Sequence, residues 1–254
     1  KTGGTSIAES LKRSGFTSIW NTSPACLAQR ICQIHFAPLS PRDLAGGGPV
    51  FISVRDPIER AVSAFNYRHP TLGSRSVMVA HSPSEMKLYK CFDHIDALAR
   101  ALPERSPCGS LARESLTRRA TGVHIAMGFA FYLADVMSIL TAASEPGGEK
   151  RRRYVLVRSD HVAADMDWVR AWAGLPPATG VFPHARSTYP AHNRTELSTA
   201  GRASLKAHLR ADYDVLARLQ QYALDATLIA PLNGLNRTEL RRGVNVKRGA
   251  TRVR

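Results

Sequence analysis

One junction constrains the fold of this chain more than any other stretch: Gly46-Gly47-Gly48-Pro49, then Val50-Phe51-Ile52-Ser53-Val54, then Arg55-Asp56-Pro57. The glycines and proline bound a run that is apolar but for one Ser, and a continuous apolar run of this length predicts a strand buried on both faces, as in a parallel sheet. Asp56 supplies a helix N-cap and Pro57 fits the first helical position, where a missing N–H costs nothing, so a helix is expected on to Phe65. A buried parallel strand that leads into a helix belongs to α/β layering, in which ligands are met at the carboxyl ends of the strands. Arg55 falls at that end and Ser63 two turns into the helix, so both are expected to face one crevice. A planar, permanently charged fork beside a hydroxyl suits a phosphate monoester.

The first six residues, Lys1-Thr2-Gly3-Gly4-Thr5-Ser6, point to the same chemistry. Glycines let the backbone fold closely around an anion, and a helix over Ile7 to Arg13 would aim its first N–H groups and the positive end of its dipole at it. Lys1 adds a mobile charge, and the Thr5 and Ser6 hydroxyls add donors. The nucleotide triphosphatase loop has its lysine after the glycines, whereas here the lysine comes first. Taken alone, a plain turn and cap remains an equal reading of this stretch.

Together the two stretches resemble the Golgi-type carbohydrate sulfotransferases that use 3′-phosphoadenosine-5′-phosphosulfate (PAPS). Lys1 to Ser6 is similar to their 5′-phosphosulfate loop, and Val54 to Phe65 to their 3′-phosphate element, with Arg55 and Ser63 in its two phosphate-binding places. The resemblance is firm over residues 1 to 70 and loose from about 150 to 220. It implies an α/β fold with a P-loop-like parallel sheet flanked by helices. It also implies PAPS as donor, a carbohydrate acceptor, and a Golgi lumenal site behind an upstream type II membrane anchor. The chain starts without the strand that should lead into the loop, so a fragment is expected: one sulfotransferase domain over 1 to 230, then a basic, disordered tail over 231 to 254.

Between the two motifs, Arg30 to Phe36 reads as a short strand ending at His35. Sulfuryl transfer to a sugar hydroxyl needs a base for the hydroxyl proton, and imidazole suits that task. In the heparan sulfate sulfotransferases a histidine base occupies a similar place, so the resemblance supports His35; a structural histidine at the strand edge is the alternative. The implied reaction is in-line displacement on sulfur. His35 takes the proton, Lys1 and the N–H groups of residues 3 to 6 stabilise the leaving phosphate, and Arg55 and Ser63 orient the donor without any metal.

The 254 residues suffice for one substantial core, and 35 Lys+Arg against 20 Asp+Glu give +15, which favours polyanionic partners. No nucleic-acid motif accompanies that charge, so an acidic glycan is preferred to nucleic acid. Cys26, Cys32, Cys91 and Cys108 lack zinc-site spacing. A Cys91–Cys108 closure in a secretory compartment and buried thiols stay open as alternatives. Sequons begin at Asn21, Asn193 and Asn236. A nucleotide-dependent kinase and a non-catalytic glycan-binding protein with a degenerate donor site are the competing classes.

From Tyr67 to Arg119 the chain is polar and proline-broken, with helical runs at Ser84 to Lys90 and His94 to Leu102. Arg68, His69, Arg75, Lys87, Lys90, Arg113, Arg118 and Arg119 are candidates to line an acceptor groove, against a solvated-surface reading of each. His94 is a second, weaker candidate base, with a surface or structural role on an amphipathic helix the preferred alternative. Residues 123 to 143 are the longest apolar run; His124 and Asp135 argue against a membrane span, which leaves a buried crossover helix. Tyr154 to Arg158 reads as another buried strand and Asp160 to Gly174 as a helix carrying Trp168 and Trp172. The loop from Phe182 to Pro190 offers His184, Arg186 and Ser187 as donors, with an ordinary surface loop as the equal alternative. Ser198 caps a long helix with Leu205, Leu209, Leu216 and Leu219, expected to pack on the sheet and perform no chemistry.

Overall fold

The computed structural model describes residues 19–20, 32–33, 38–44, 50–71, 82–117, 123–142, 154–172 and 196–222. Lys1 to Ser6, His35, the three sequon asparagines, the loop from Phe182 to Pro190 and the tail after 222 lie outside them. Strand β3 (Val50–Val54) pairs in parallel with β4 (Tyr154–Arg158) over its whole length, Val50 opposite Tyr154 and Val54 opposite Arg158. A second parallel pair joins β1 (Ile19–Trp20) to β2 (Cys32–Gln33). The remainder is mostly helical, so the fold is α/β with small parallel sheets.

A short helix α1 (Pro41–Leu44) precedes β3, and α2 (Pro57–Arg68) follows it as the Asp-Pro step requires. Asp56 caps α2 by accepting from Glu59 N at 3.0 Å. Then come α3 (Pro83–Cys91), α4 (Ile95–Ala101) and α5 (Pro107–Ser115), capped by Ser82, His94 and Ser106. His94 has a structural role as the N-cap of α4: its Nδ1 accepts from Ala97 N at 3.1 Å. A disulfide joins Cys91 at the end of α3 to Cys108 in α5, which decides between the two cysteine readings for this pair.

Two apolar clusters form. One gathers Ile58, Ala61 and Phe65 of α2 with Leu88, Ile95, Leu98, Leu102 and Ile125. The other lies on the β3·β4 sheet and includes Ile52, Val54, Phe129, Leu133, Val136, Leu140, Tyr154 and Leu156. Glu85, fully buried, ties the helices of the first cluster together. Its carboxylate accepts from Arg68 of α2, from His124 N at 3.0 Å and, in a capping box, from Ser82 N at 3.4 Å.

Two expected helices are broken. The run from 123 is not one crossover helix but a 3-10 turn (His124–Ala126), α6 (Phe129–Leu133), a second 3-10 turn (Ala134–Val136) and α7 (Met137–Ala142). The break falls at Gly128, whose backbone is approached so closely that an added Cβ would meet Asp212 Oδ2 at 1.9 Å. Asp212 also accepts from Ala130 N at 2.7 Å, in the first turn of α6. Among the described residues no helix is long and apolar enough to cross a membrane.

After β4 comes α8 (Val162–Trp172). Ser198 caps its helix as expected, but that helix also divides, into α9 (Thr199–His208) and α10 (Arg210–Tyr222). Leu205 and Leu209 enter the first cluster, whereas Val215 and Leu219 enter the sheet cluster. The division at Leu209 lets α9 keep its apolar stripe on the first cluster while most of α10's turns to the sheet. The sheet contact expected of this region belongs to α10: Tyr154 donates from its hydroxyl to Leu219 O at 2.7 Å.

Candidate functional site

The site builds up from the end of β3. The Val54 carbonyl accepts from Ser159 N at 2.9 Å, so the two strands separate just beyond Val54 and Arg158. Arg55 is the first residue past that edge, and Asp56 turns the chain into α2. Helix α2 buries Ile58, Ala61, Ala64 and Phe65, which leaves Glu59, Val62 and Ser63 only partly covered. Glu59 and Ser63 are four residues apart within α2, the spacing that stacks side chains on one helix face, while Arg55 precedes the N-cap and meets Glu59 at 3.9 Å. Arg55 thus follows the carboxyl end of a parallel strand, and Ser63 lies partly covered on the helix after it.

Two further helices reach this face. Glu59 lies between two guanidinium groups, with Oε2 3.9 Å from Arg55 Nη2 and Oε1 3.6 Å from Arg202 Nη2 of α9. Tyr213 of α10 donates from its hydroxyl to Asp56 Oδ2 at 2.9 Å. Burial and then this bond to a carboxylate push the Tyr213 hydroxyl up to about 12. Opposite Val54, Arg158 donates from Nε and Nη2 to the two oxygens of Asp165 at 3.0 and 2.7 Å, and from its backbone N to Oδ2 at 2.7 Å. The hydrogen bonds to Asp165 raise Arg158 above its ordinary value. Its charge is thus compensated inside the fold.

On the buried face of α2, Arg60 donates to Ile125 O at 2.7 Å and Met127 O at 3.1 Å and lies 3.9 Å from Asp212. Burial lowers Arg60 and raises Asp212, each against the attraction of the other. Burial likewise pushes Tyr132 up to about 12, with Arg60 acting the other way. These groups fix the helix that carries Arg55's face; they are part of its foundation.

Three candidates for an acceptor groove have other roles. Arg68 is the buried partner of Glu85. His69 is 3% exposed, donates from Nε2 to Phe92 O at 3.2 Å and accepts at Nδ1 from the Thr71 hydroxyl at 2.9 Å, with Tyr89 against its ring. Arg113 donates to the carbonyls of Leu102 and Glu104 and to Ser110 Oγ. Lys87 and Lys90 are exposed on α3, and Arg75, Arg118 and Arg119 lie outside the described residues.

Of the expected site residues the structure describes Arg55, just past β3, and Ser63, on α2, while Lys1, Thr2, Gly3, Gly4, Thr5, Ser6 and His35 lie outside what it describes. Sequence reasoning missed Glu59, Arg202 and Tyr213. Glu59 was detectable, four residues from Arg55 and four from Ser63. Arg202 and Tyr213 were not, because Tyr213 meets Asp56 across 157 residues of sequence. Compared with family models, with curated proteins and with solved structures, the chain matches none.

Proposed function

We propose that the chain is a PAPS-dependent carbohydrate sulfotransferase of the Golgi lumen, with the P-loop-like sheet of that class. The observation that carries this reading is the β3–Arg55–Asp56–α2 unit. A parallel strand ends at Arg55, and the capped helix that follows carries Ser63 two turns on, the order that the resemblance to a 3′-phosphate element asks for. That arrangement fits a phosphate monoester such as the 3′-phosphate of the donor, which would be anchored there by charge-assisted hydrogen bonds. The Cys91–Cys108 disulfide agrees with an oxidising compartment.

In this reading Lys1, with Thr2, Gly3, Gly4, Thr5 and Ser6, holds the 5′-phosphosulfate, and Lys1 offsets charge on the leaving phosphate as the sulfur–oxygen bond breaks. His35 removes the proton of the attacking hydroxyl. The acceptor is a glycan, acidic in keeping with the net charge of +15.

The test is transfer of radiolabelled sulfate from PAPS to a panel of desulfated glycosaminoglycans and simpler glycans by the full chain, beside its Lys1→Ala, His35→Ala and Arg55→Ala variants. Labelled glycan that disappears in all three, with PAPS binding retained in His35→Ala and weakened in Arg55→Ala, is the expected result. Absence of PAPS binding by the wild-type chain would sink the proposal. PAPS binding without any labelled glycan would make it a donor-binding protein without transfer to carbohydrate.

A further inference from the structure

The first turn of α2 is gripped at two points by adjacent residues of α10. Buried Asp212 lies 3.9 Å from Arg60 and is itself held by Ala130 N at 2.7 Å. Tyr213 reaches the start of the same turn, where its hydroxyl donates to Asp56 Oδ2 at 2.9 Å. The other oxygen of Asp56 accepts from Glu59 N at 3.0 Å, and its carbonyl accepts from Arg60 N at 2.9 Å. Pro57 has no N–H, and the N–H of Ile58 acts on the Tyr213 hydroxyl, against the upward push of burial and Asp56. The start of α2 is therefore satisfied from within the fold, in part by a residue 157 positions further along the chain.

Asp56 stands between Arg55, the first residue past β3, and α2, so the hold on its carboxylate also fixes the angle at which strand passes into helix. A hydrogen bond to an ionised carboxylate is of the strong kind, and Tyr213 is half-buried, which limits competition from water. Without the hydroxyl, Oδ2 loses its protein donor while Oδ1 keeps the cap.

We propose that Tyr213 is a positioning residue for the phosphate site: by holding Asp56 on the end of α2 it sets the strand-to-helix turn that presents Arg55, and so couples α10 to donor affinity. This rests on the donor-binding reading above, in which Arg55 touches the phosphate. Tyr213 acts through Asp56 and needs no contact with the ligand.

The experiment is calorimetric titration of the full chain with adenosine 3′,5′-bisphosphate and, separately, adenosine 5′-monophosphate, for the wild type, Tyr213→Phe, Arg55→Ala and the double variant. Tyr154→Phe is the control: it removes another hydroxyl bond to α10, to Leu219 O at 2.7 Å, at the opposite end of the paired strands. The wild type should prefer the bisphosphate. Tyr213→Phe should weaken the bisphosphate about fivefold, part of the worth of one charge-assisted hydrogen bond, and leave the monophosphate unchanged. In the Arg55→Ala background the same substitution should have no further effect, because a positioning residue acts only through the group it positions. Tyr154→Phe should bind the bisphosphate as the wild type does. If Arg55→Ala abolishes the preference while Tyr213→Phe leaves it intact, the positioning role is refuted and the donor site stands. An equal loss toward both nucleotides, an undiminished loss in the Arg55→Ala background, or a matching loss in Tyr154→Phe would also refute it, as a general loosening of α10. A wild type without preference for the bisphosphate overturns this inference together with the reading beneath it.

Discussion

Glu85 offers the sharpest test of how α2 is held in place. It is fully buried at the start of α3, and four donors reach its carboxylate: Arg68 Nε at 3.0 Å, Arg68 Nη2, His124 N at 3.0 Å and Ser82 N at 3.4 Å. Three separate segments thus depend on one side chain. In Glu85→Ala the guanidinium of Arg68, only 11% exposed, loses its carboxylate, and removing one partner of a buried pair costs about 3–5 kcal/mol. Truncation also leaves a cavity, so about 4 kcal/mol is expected in total, a large share of the roughly 5–15 kcal/mol by which a domain is stable. Glu85→Gln keeps the shape but puts an NH2 where one oxygen accepted. Two donors then face each other, for a loss of about 2 kcal/mol. Urea unfolding followed by circular dichroism would read both as shifts in midpoint at constant slope. Companion Glu85→Leu and Arg68→Leu singles and the double variant Glu85→Leu/Arg68→Leu complete a cycle in which the double should lose much less than the sum of its singles. Simple additivity, or a loss below about 0.5 kcal/mol in Glu85→Gln, would refute the assignment of Glu85 as the tie between these segments.

Gly128→Ala should cost about 3 kcal/mol in the same assay, because Asp212, held by Ala130 N and facing Arg60, cannot retreat from a Cβ at 1.9 Å; a loss under about 1 kcal/mol would mean that α10 can shift. Replacing Cys91 and Cys108 by Ala removes a link across a sequence separation of 17 and should lower stability by about 3 kcal/mol, read by unfolding with and without reductant; equal stability in both would refute a stabilising bridge. Burial pushes the Asp96 carboxyl upward, but hydrogen bonds from Ser198 and the charge of Arg100 outweigh it and hold the group below its ordinary 3.8. A depressed folded value gives stability that is present above the unfolded value and lost as pH falls through the folded one. The gap in urea midpoint between wild type and Asp96→Asn should therefore be open near about pH 7 and closed by about pH 2; a gap independent of pH refutes this.

What the sequence made legible was local. Val50–Val54 and Tyr154–Arg158 are continuous apolar runs between breakers, and both are strands of one parallel pair because such runs suit burial on two faces. Asp56 and Ser198 read as caps because a short polar side chain before a helix satisfies N–H groups that the helix itself leaves open. The basic residues after Tyr67 could not be sorted by composition. Arg68 is tied to Glu85 and Arg113 to main-chain carbonyls of the α4–α5 turn, while Lys87 is exposed on α3; only partners distant in sequence separate these fates. The two helix breaks had no local signal strong enough either, since one glycine in an apolar run is tolerated in a helix at a cost of about 1 kcal/mol. The breaks come from tertiary contacts.

Those breaks share a cause. The chain passes from one apolar cluster to the other at Arg55-Asp56, at Met127-Gly128 and just beyond Leu209-Arg210: Ile52 and Val54 belong to the sheet cluster and Ile58 to the helical one, Ile125 to the helical cluster and Phe129 to the sheet, Leu209 to the helical cluster, which Tyr213 still touches, and Val215 to the sheet. An element that continued straight through would carry its apolar stripe off one core without reaching the other, so each crossing needs a cap or a bend. Each bend leaves backbone N–H or C=O groups that a helix would otherwise have satisfied. Polar side chains collect there to satisfy them: Arg60 for the carbonyls of Ile125 and Met127, Asp212 for Ala130 N, Asp56 for Glu59 N. Tyr213 then links one crossing to another through Asp56. The seam between two cores thus concentrates charged groups on rigid elements, buried on the inner face of α2 and exposed on its outer face, where Arg55, Glu59 and Arg202 meet. A ligand site needs that combination of fixed backbone and accessible charge, and in the described residues it arises from the way two cores are joined.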